Sequence, residues 1–396
     1  MKITGSKRLE QLGSAIFAEV AEWKEQVKSQ RIDVIDLGIG SPDQPPSPKV
    51  IEALVNAVSN PSNYGYPTSE GSLPFRQAVA RWYKHRFAVE LDPNHEILAL
   101  MGSQDGLAHL AMAIADPGDV ALVPDPGYPI YSASLVLAGV TAYTMALRAE
   151  HNFLPQLERI PLEIAKQAKF MLLNYPSNPL SAVADRAFFE QVVAYAVKHQ
   201  IIIAHDLAYS EMTFDGFEPL SILQIPGAKD IAVEFHSLSK SFNMAGCRLA
   251  FMVGNASVVQ ALRTLKSNID YGVFLAIQEA GIAALEEDMT HEFTVAEQYE
   301  KRRNLVINGL REVGWEIPLP KATMFIWAPI PQGWTSRQIS REILFATGVV
   351  VIPGDAFGSE GEGYVRIALV QSEERLAEAV RRIGRFLKMA KTSSDV

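Results

Sequence analysis

Through the middle of the chain, short runs of apolar residues alternate with segments in which apolar residues recur at helical spacing. The helical segments are 105–115 and 185–199, and the apolar runs around them are 120–124, 169–174, 201–206, 231–236 and 248–254. An unbroken apolar strand is buried on both faces, and strands separated by helices pair in parallel. The pattern therefore predicts an α/β fold with a mostly parallel sheet covered by helices. Ligands of such sheets bind beyond the carboxyl ends of the strands.

The last part of the chain has a different pattern, which predicts a smaller α+β domain. Residues 274–315 have the spacing of one or two long helices that are charged on one face. Three apolar segments and two helical ones follow: 323–330, 349–354 and 364–370, with 335–348 and 372–390. We place the large domain at residues 45–285 and the small domain at 286–396. Residues 1–44 are expected to form an N-terminal arm and part of the small domain.

Composition and charge narrow the class of protein. The chain has 396 residues, of which 48% are hydrophobic, and its 36 basic and 45 acidic side chains give a net charge of −9. A protein with this charge is not expected to bind nucleic acid or an anionic membrane. The longest apolar region, 133–147, is too short and too interrupted to cross a bilayer. With one cysteine, Cys247, and no signal peptide at its start, the sequence predicts a cytoplasmic globular protein.

A lysine flanked by two serines follows one of the predicted strands. Lys240 lies between Ser239 and Ser241, shortly after the apolar run 231–236, and Arg248 follows in the same stretch. A lysine on a surface loop would need no explanation. A lysine at the mouth of a sheet, among hydroxyl groups and an arginine, indicates an amine that takes part in chemistry.

Polar side chains also follow two other predicted strands. Asp206 and Tyr209 come at the end of the run 201–206 and would project together into the crevice beyond the sheet. Asp206 could hold a proton on a ring nitrogen and Tyr209 could reach a phenolic oxygen, although Asp206 could equally cap the next helix. Asn178 precedes a proline in a turn that orients its amide, which by itself is only a turn signal.

Three more features have both a functional and an ordinary explanation. Residues 102–114 form a Gly-Ser turn that runs into a helix, where free N–H groups and Ser103 suit a phosphate, unless Ser103 is a plain N-cap. Tyr128 lies in a proline-flanked loop and could stack on a planar ring or simply pack on the surface. Arg366 lies on a predicted strand, and its guanidinium could bind a carboxylate or form a structural salt bridge.

One cofactor requires all of these groups at once. Pyridoxal 5′-phosphate needs a lysine for its Schiff base, an acid at its pyridine nitrogen, a phosphate site, donors to its phenolic oxygen and a surface on which to stack. Lys240 is the candidate for the Schiff base and Asp206 for the ring nitrogen. The Ser103 loop with Arg248 would bind the phosphate, Asn178 with Tyr209 would donate to the phenolic oxygen, and Tyr128 would provide the stacking surface. Because five weak indications meet the needs of one cofactor, the sequence predicts a pyridoxal phosphate site.

The order and spacing of these motifs resemble those of the fold-type I, class I/II aminotransferases over nearly the whole chain. The motifs are LGIGSPD (37–43), YPTSEG (66–71), GSQDG (102–106), NYPSNP (174–179), HDLAY (205–209), SLSKSFNMAGCR (237–248) and YVRIAL (364–369). The resemblance is nearest to the alanine–glutamate and LL-diaminopimelate aminotransferase branch. It implies a large domain built on a seven-stranded, mostly parallel sheet and a smaller α+β domain.

The resemblance also implies a role for individual residues. Lys240 would form the Schiff base and then move the proton, with Asp206 and Tyr209 beside it as catalytic groups. The residues implied for the phosphate are Ser237, Ser239, Arg248 and the backbone of Gly102, Ser103 and Gln104. Tyr66 would reach the phosphate of the neighbouring subunit, which implies a homodimer with shared active sites. The residues implied for the substrate α-carboxylate are the backbone of Gly40, Asn178 and Arg366.

The chain departs from the family pattern at a few positions. The turn that usually reads Asn-Pro-Thr-Gly has Leu180 and Ser181 at its end, and Ala250 stands where glycine is usual after the phosphate arginine. Cys247 replaces an often bulkier residue, and we interpret it as a small buried thiol. None of these changes removes a catalytic group, so they bear on local backbone shape.

The predicted reaction is transfer of an amino group between an L-amino acid and a 2-oxo acid. Alanine with 2-oxoglutarate is the first choice of substrates and LL-diaminopimelate with 2-oxoglutarate the second. Residues 266–281 offer no evident arginine for a second carboxylate, whereas Tyr271 and Phe17 could border the side-chain pocket.

Two other functions remain as alternatives. A C–S β-lyase of the same fold would use the same lysine and aspartate. A non-enzymatic module, as in some transcription regulators, would need an N-terminal DNA-binding domain, and the acidity of the chain and the start of the first motif at residue 37 disfavour it.

Overall fold

The computed structural model describes residues 5–12, 15–290 and 295–394. In these ranges the chain forms strands that belong to one large sheet and two small ones. The strands are β1 (Ile35–Asp36), β2 (Ile97–Leu100), β3 (Val120–Asp125), β4 (Thr141–Ala146), β5 (Ala168–Asn174), β6 (Ile202–Asp206), β7 (Ala232–Ser237), β8 (Ala250–Gly254), β9 (Phe325–Pro329), β10 (Val349–Val350), β11 (Ile352–Pro353) and β12 (Tyr364–Ala368).

The helices of the same ranges cover the large sheet on both faces and surround the small sheets. They are α1 (Ala15–Ser29), α2 (Pro48–Val58), α3 (Leu73–Phe87), α4 (Ser103–Ile114), α5 (Ile130–Ala138), α6 (Leu162–Gln167), α7 (Arg186–His199), α8 (Leu238–Ser241), α9 (Ala256–Lys266), α10 (Leu275–Asp288), α11 (Ala296–Glu312), α12 (Ser336–Thr347) and α13 (Glu373–Ser394).

The large sheet has seven strands in the order β2-β8-β7-β6-β5-β3-β4. Only β8 runs against the others, since it pairs antiparallel with both β2 and β7 while the remaining pairs are parallel. Parallel neighbours need a long crossover, usually through a helix. The segment between β7 and β8 contains only short helical turns, which agrees with their antiparallel pairing. The prediction of a mostly parallel sheet in an α/β fold is confirmed.

The two faces of the sheet belong to separate apolar clusters. Along β6, Ile203 packs in the cluster that contains α3 and α7, and Ala204 packs in the cluster that contains α4, α5 and α9. Successive side chains of a strand point to opposite faces, so alternate residues enter the two clusters. By the same alternation, His205 points to the α3 and α7 side and Asp206 to the α4 and α5 side.

The helices begin at capping residues that the sequence supplies. Asp185 accepts a hydrogen bond from the backbone N–H of Phe188 at the start of α7. Thr335 and Gln338 form a capping box at the start of α12, and Gly348 ends that helix in the left-handed conformation. The long segment 274–315 forms two helices, α10 and α11, and residues 291–294 between them lie outside the described residues.

A second unit gathers the end of the chain and part of its beginning. Strands β11, β12 and β9 form an antiparallel sheet, and β1 pairs in parallel with β10, Ile35 opposite Val349. The apolar cluster of this unit includes residues of α11, α12 and α13. Residues near the N-terminus therefore contact the C-terminal elements. The domain boundaries at residues 44/45 and 285/286 remain predictions, and the second lies within α10.

Among the described helices, none is both long and apolar enough to cross a membrane.

At Gly281, helix α10 packs closely on the residue that precedes β8 and on helix α3. A Cβ at this position would overlap the Leu249 side chain and lie 3.1 Å from the Phe75 ring. We predict that Gly281→Val lowers stability by about 1–3 kcal/mol through overpacking, measured as a lower thermal unfolding midpoint. Ala283→Val on the same helix is the control, because Ala283 is only half-buried. An equal fall of the midpoint in both variants would contradict close packing at Gly281.

Candidate active site

A cavity of about 420 Å³ lies beyond the carboxyl ends of β5, β6 and β7, between the large sheet and the small antiparallel sheet. Of the residues predicted from the sequence, all but Gly102, Tyr66 and Tyr271 line it. The parallel strands bring Asn174, Asp206 and Ser237 to the same edge of the sheet, because each is the last residue of its strand. The structure thus brings together residues that are far apart in the sequence.

Lys240 enters the cavity from α8, the single helical turn that follows β7. Its Nζ donates a hydrogen bond to the backbone carbonyl of Gly40. Burial, together with the positive charges of Arg366 and Arg248, lowers the pKa of Lys240 to about 8. Near neutral pH, a much larger fraction of the Lys240 amine is therefore neutral than in an ordinary lysine, and the neutral amine is the nucleophilic form.

Asp206 lies buried at the end of β6, where two protein groups orient its carboxylate. Tyr131 donates to Oδ2 at 2.8 Å, and the backbone N–H of Ala208 donates to Oδ1 at 3.3 Å. Burial raises the pKa of Asp206, and the Tyr131 hydrogen bond opposes that rise. A buried carboxylate of this kind gains from a cationic partner, so Asp206 suits the protonated nitrogen of an aromatic ring.

Helix α4 presents its first turn to the cavity. Its N-cap is Gly102, with a φ of 85° and no side-chain cap, so Ser103 is the first helical residue and does not cap the helix. The uncapped N–H groups of this turn could bind an anion. Arg248 closes the same space, because a Cβ added to Gly102 would overlap Arg248 Nη2. Glycine is therefore required here both by its backbone conformation and by the close approach of the guanidinium.

Two serines complete this anion site. Ser237 Oγ accepts a hydrogen bond from the backbone N–H of Ser239 at 3.2 Å, and Arg248 Nη1 lies 3.5 Å from Ser239 Oγ. Arg248 Nη1 also donates to the carbonyl of Ala245 at 3.0 Å. Hydroxyls, a guanidinium and a helix N-terminus form a donor set that fits a phosphate group.

Lys266, a buried lysine that was not identified from the sequence, supports the backbone at the start of α4 through Asp105. Lys266 is fully buried, and its Nζ lies 2.6 Å from Asp105 Oδ2 and 2.8 Å from Asp270 Oδ2. Asp105 Oδ2 also accepts from the backbone N–H of Met101 at 3.0 Å. Burial alone would raise the pKa of Asp105, but His109 and Lys266 lower it to about 2. In the sequence, Lys266 follows Val258 and Leu262 at intervals of four residues, which is the spacing of one helix face. This spacing could have indicated that Lys266 is buried.

Arg366 is held between two aromatic rings on the other side of the cavity. Its guanidinium carbon lies 4.3 Å from the centroid of Phe325 and 4.6 Å from that of Phe357. Nη1 donates to Asn178 Oδ1 at 2.8 Å and Nη2 donates to the carbonyl of Gly38 at 2.7 Å. Burial lowers the pKa of Arg366 to about 10.

The guanidinium of Arg366 still has unused capacity. Its Nε is buried without a hydrogen-bond partner, and within the described residues no carboxylate forms an ion pair with it. The alternative of a structural salt bridge is therefore not found in this part of the chain. A buried cation without a protein anion is suited to binding the carboxylate of a small molecule.

The aromatic residues predicted from the sequence lie in different surroundings. Tyr128 lines the cavity and donates to Gln104 Oε1 at 3.0 Å, while Tyr209 is buried beside Asp206. Phe17 of α1 also borders the cavity, and its ring lies 5.6 Å from that of Phe357. Tyr66, by contrast, is 86% exposed and stacks on Tyr271 outside the cavity. Within one chain Tyr66 does not reach the site.

Seven cavity residues were not identified from the sequence: Pro129, Tyr131, Asn174, Ala208, Ala245, Phe325 and Phe357. Tyr131 follows Tyr128 by three residues in a helical segment, so its direction could have been inferred once α5 was recognised. The two phenylalanines come from the C-terminal unit, and nothing in their local pattern separates them from core residues. Only the packing of the two units places them beside Arg366.

The turn residue Ser181 stands in a backbone conformation that favours glycine. Its φ of 54° lies in the left-handed region, where glycine is favoured. Its Oγ donates to the carbonyl of Phe325 at 2.8 Å and lies 2.7 Å from Thr323 Oγ1. These hydrogen bonds offset the backbone strain. Cys247 is half-buried and packs against the apolar cluster that contains α3 and α7, so its interpretation as a buried thiol is only partly right.

The lowered pKa of Lys240 leads to a labelling prediction. After hydroxylamine treatment and dialysis to remove any bound aldehyde, labelling by an amine-reactive reagent should rise with a midpoint near pH 8 at Lys240. Lys84 is the internal control, because its hydrogen bond to Glu90 raises its pKa above 10.5. Peptide mass spectrometry at each pH measures both sites. A Lys240 midpoint as high as that of Lys84 would contradict the proposed electrostatics.

Comparisons with known proteins agree with this geometry. The chain matches the family described as aminotransferase class I and II over residues 32–383. It is 46% identical to an LL-diaminopimelate aminotransferase of Moorella thermoacetica over 96% of this chain and 98% of that protein.

Solved structures give the same result. The substrate-bound BacF structure from Bacillus subtilis superposes with a TM-score of 0.93 at 38% identity, covering 98% of both chains. A probable N-succinyldiaminopimelate aminotransferase from Thermus thermophilus has a TM-score of 0.88 at 38% identity, covering 93% of this chain and 99% of that one. The chain therefore belongs to the class I and II aminotransferases, a family that uses pyridoxal phosphate.

Proposed function

We propose that this aminotransferase holds pyridoxal 5′-phosphate in the cavity and moves an amino group from LL-diaminopimelate to 2-oxoglutarate. The observation that carries the cofactor assignment is the amine of Lys240, with its lowered pKa, in one cavity with the buried carboxylate of Asp206. The donor is supported by full-length similarity to relatives named for that activity.

The residues of the cavity fit the cofactor at each of its polar ends. The turn at Gly102, with Ser239 and Arg248, would hold the phosphate, and Asp206 would hold the ring nitrogen. Tyr128 would stack on the ring, and Tyr209 with Asn178 would bind the phenolic oxygen. When bound, the cofactor supplies an electron-poor ring that stabilises negative charge at the substrate α-carbon.

The remaining residues would act on the substrate. Arg366 binds the α-carboxylate, for which its unpaired Nε and its position between two aromatic rings prepare it. The backbone of Gly40 closes on the same carboxylate. Lys240 would take the proton from the α-carbon and deliver it to the aldehyde carbon of the cofactor, since a group with a pKa near 8 can serve as base and then acid near neutral pH.

The proposal includes a homodimer with shared sites. Tyr66 and Tyr271 stack on each other at 4.8 Å and are 86% and 68% exposed. Aromatic rings this exposed are typical of a surface that a second chain covers. In the dimer, Tyr66 would bind the phosphate in the neighbouring subunit.

We place LL-diaminopimelate before alanine as the amino donor. Sequence reasoning placed alanine first, whereas relatives at 43–46% identity carry the name LL-diaminopimelate aminotransferase. Those relatives match along 97–100% of their own length, so the similarity covers the substrate pocket as well as the cofactor site. The alternative C–S β-lyase would use the same lysine and aspartate, and no observation favours it.

A half-reaction screen tests the reaction and the donor together. We predict that LL-diaminopimelate, added without an oxo acid, changes the visible absorbance of the cofactor-loaded enzyme at least about tenfold faster than L-alanine does, a difference of about 1.4 kcal/mol in activation free energy. Lys240→Ala should show no comparable change. If alanine reacts faster, the donor is wrong and the aminotransferase assignment stands. Pyruvate and ammonia released from cystathionine over many turnovers would establish the β-lyase.

The phosphate turn gives a prediction with a matched control. Gly102→Ala should weaken pyridoxal phosphate binding about tenfold or more, because the added Cβ displaces Arg248 and removes a charge-assisted contact. Gly118→Ala has a similar φ of 97° but no neighbour within 4 Å, so it imposes only the backbone strain. Equilibrium titration of the apoenzymes with the cofactor measures both. Equal affinities of the two variants would contradict the assignment of this turn.

A further inference from the structure

A cluster of buried polar groups lies behind the sheet, on the face opposite the cavity. At its centre the carboxylate of Glu234 on β7 has no solvent exposure and is bonded by four groups. His205 Nδ1 and the backbone N–H of Ile222 each lie 2.8 Å from Oε2, His236 Nε2 lies 3.2 Å from Oε1, and Tyr83 donates its hydroxyl to Oε1. None of these residues lines the cavity.

Burying these polar and charged groups costs free energy, which indicates that the cluster has a role beyond filling the core. A buried ionised carboxylate loses its hydration, and buried ion pairs can often be replaced by apolar residues with no loss of stability. The surroundings here are apolar, since the rings of Trp82 and Phe189 pack against His236 and His205. A fold that needed only a core at this place would not require four polar side chains.

The cluster is connected to Asp206 through two strands. His205 is the residue before Asp206 on β6, and it pairs in register with Glu234 on β7. On its other side, His205 Nε2 lies 3.1 Å from the carbonyl of Tyr175, the residue after Asn174. Asn174 Nδ2 in turn donates to the backbone carbonyl of Asp206 at 2.7 Å. The imidazole thus ties together the strand ends that carry Asp206 and Asn174.

Charge connects the cluster to Asp206 as well. Burial raises the pKa of Glu234, but His205 and His236 outweigh it and hold that pKa far below its usual range. The anionic carboxylate of Glu234 holds the Nδ1 side of the His205 imidazole, and the backbone of Tyr175 holds its Nε2 side. Positive charge on His205 and His236 lowers the pKa of Asp206 against the effect of its own burial.

We propose that Glu234, acting through His205, is a positioning residue that holds Asp206 in place and in its charged form beneath the cofactor ring. The inference rests on the proposed function, because it assigns Asp206 to the ring nitrogen. Without the Glu234 carboxylate, the His205 imidazole loses the hydrogen bond at Nδ1 that fixes it, and the strand end that carries Asp206 is held less firmly. A less firmly held Asp206 would pair less well with a protonated ring nitrogen, so the bound cofactor would withdraw electrons less strongly.

Glu234→Gln tests this with the full-length, cofactor-loaded enzyme. The first readout is the pH dependence of the visible absorbance of the bound cofactor. Its midpoint should rise by about one pH unit, because loss of positive charge on the ring raises the proton affinity of the group conjugated with it. The second readout is steady-state kinetics. The value of kcat should fall about tenfold, while KM for the amino donor stays within about twofold, since Arg366 is unchanged.

Two further variants separate charge from packing. Tyr83→Phe removes one donor to Glu234 and keeps both the carboxylate and the imidazole, so its absorbance midpoint should stay at the wild-type value. His205→Gln removes the imidazole without touching Glu234 and should shift the midpoint in the same direction as Glu234→Gln. It is measured in parallel, so that the test does not depend on the folding of a single variant.

The outcomes distinguish this inference from the proposed function. Wild-type enzyme that transaminates, together with Glu234→Gln and His205→Gln enzymes whose absorbance midpoints equal the wild-type value, would overturn the inference alone. A fall in kcat that merely follows a lower melting temperature or a lower cofactor content would overturn it too. Wild-type enzyme that binds no pyridoxal phosphate would overturn the proposed function itself.

Discussion

The site depends on one geometric constraint, the parallel pairing of β5, β6 and β7. Parallel strands end at the same edge of a sheet, so their terminal residues Asn174, Asp206 and Ser237 meet although the chain separates them widely. The antiparallel β8 does not break this arrangement. It returns the chain along β7 after the turn that holds Lys240, and so brings Arg248 back to the start of α4. A slip of one residue in any of these strands would move its terminal side chain to the other face.

The two arginines of the cavity differ because their surroundings differ. Arg248 is at the surface, bonded to a carbonyl and close to the first turn of α4, where a guanidinium suits a phosphate. Arg366 is buried between two rings, bonded to an amide and a carbonyl, and without an acidic partner in the described part of the chain. Both positive charges lower the pKa of Lys240. The groups that would bind the anionic ends of cofactor and substrate therefore also prepare the amine for reaction.

Buried charges support this site from two directions. Lys266 holds Asp105 and, through it, the backbone of the phosphate turn, while Glu234 holds His205 next to Asp206. Neither Lys266 nor Glu234 contributes a group to the cavity. Each fixes a backbone segment that does, and each has its charge compensated by partners within hydrogen-bond distance. This compensation is what allows ionised groups to remain in an apolar interior.

The sequence alone determined the fold class, five strands of the large sheet and most of the cavity residues. It could do so because buried parallel strands are uniformly apolar and because the chemistry of Lys240, Asp206 and Arg366 is local to short motifs. It did not determine β4, the direction of β8, or the residues that act through others. Phe325 and Phe357 look like core residues, Lys266 shares the helical spacing of its buried neighbours without any sign of its partner Asp105, and Glu234 looks like a charge in an otherwise apolar strand. Only the tertiary structure decided their roles, because each depends on partners that the packing of other elements brings close, at distances that no local pattern encodes.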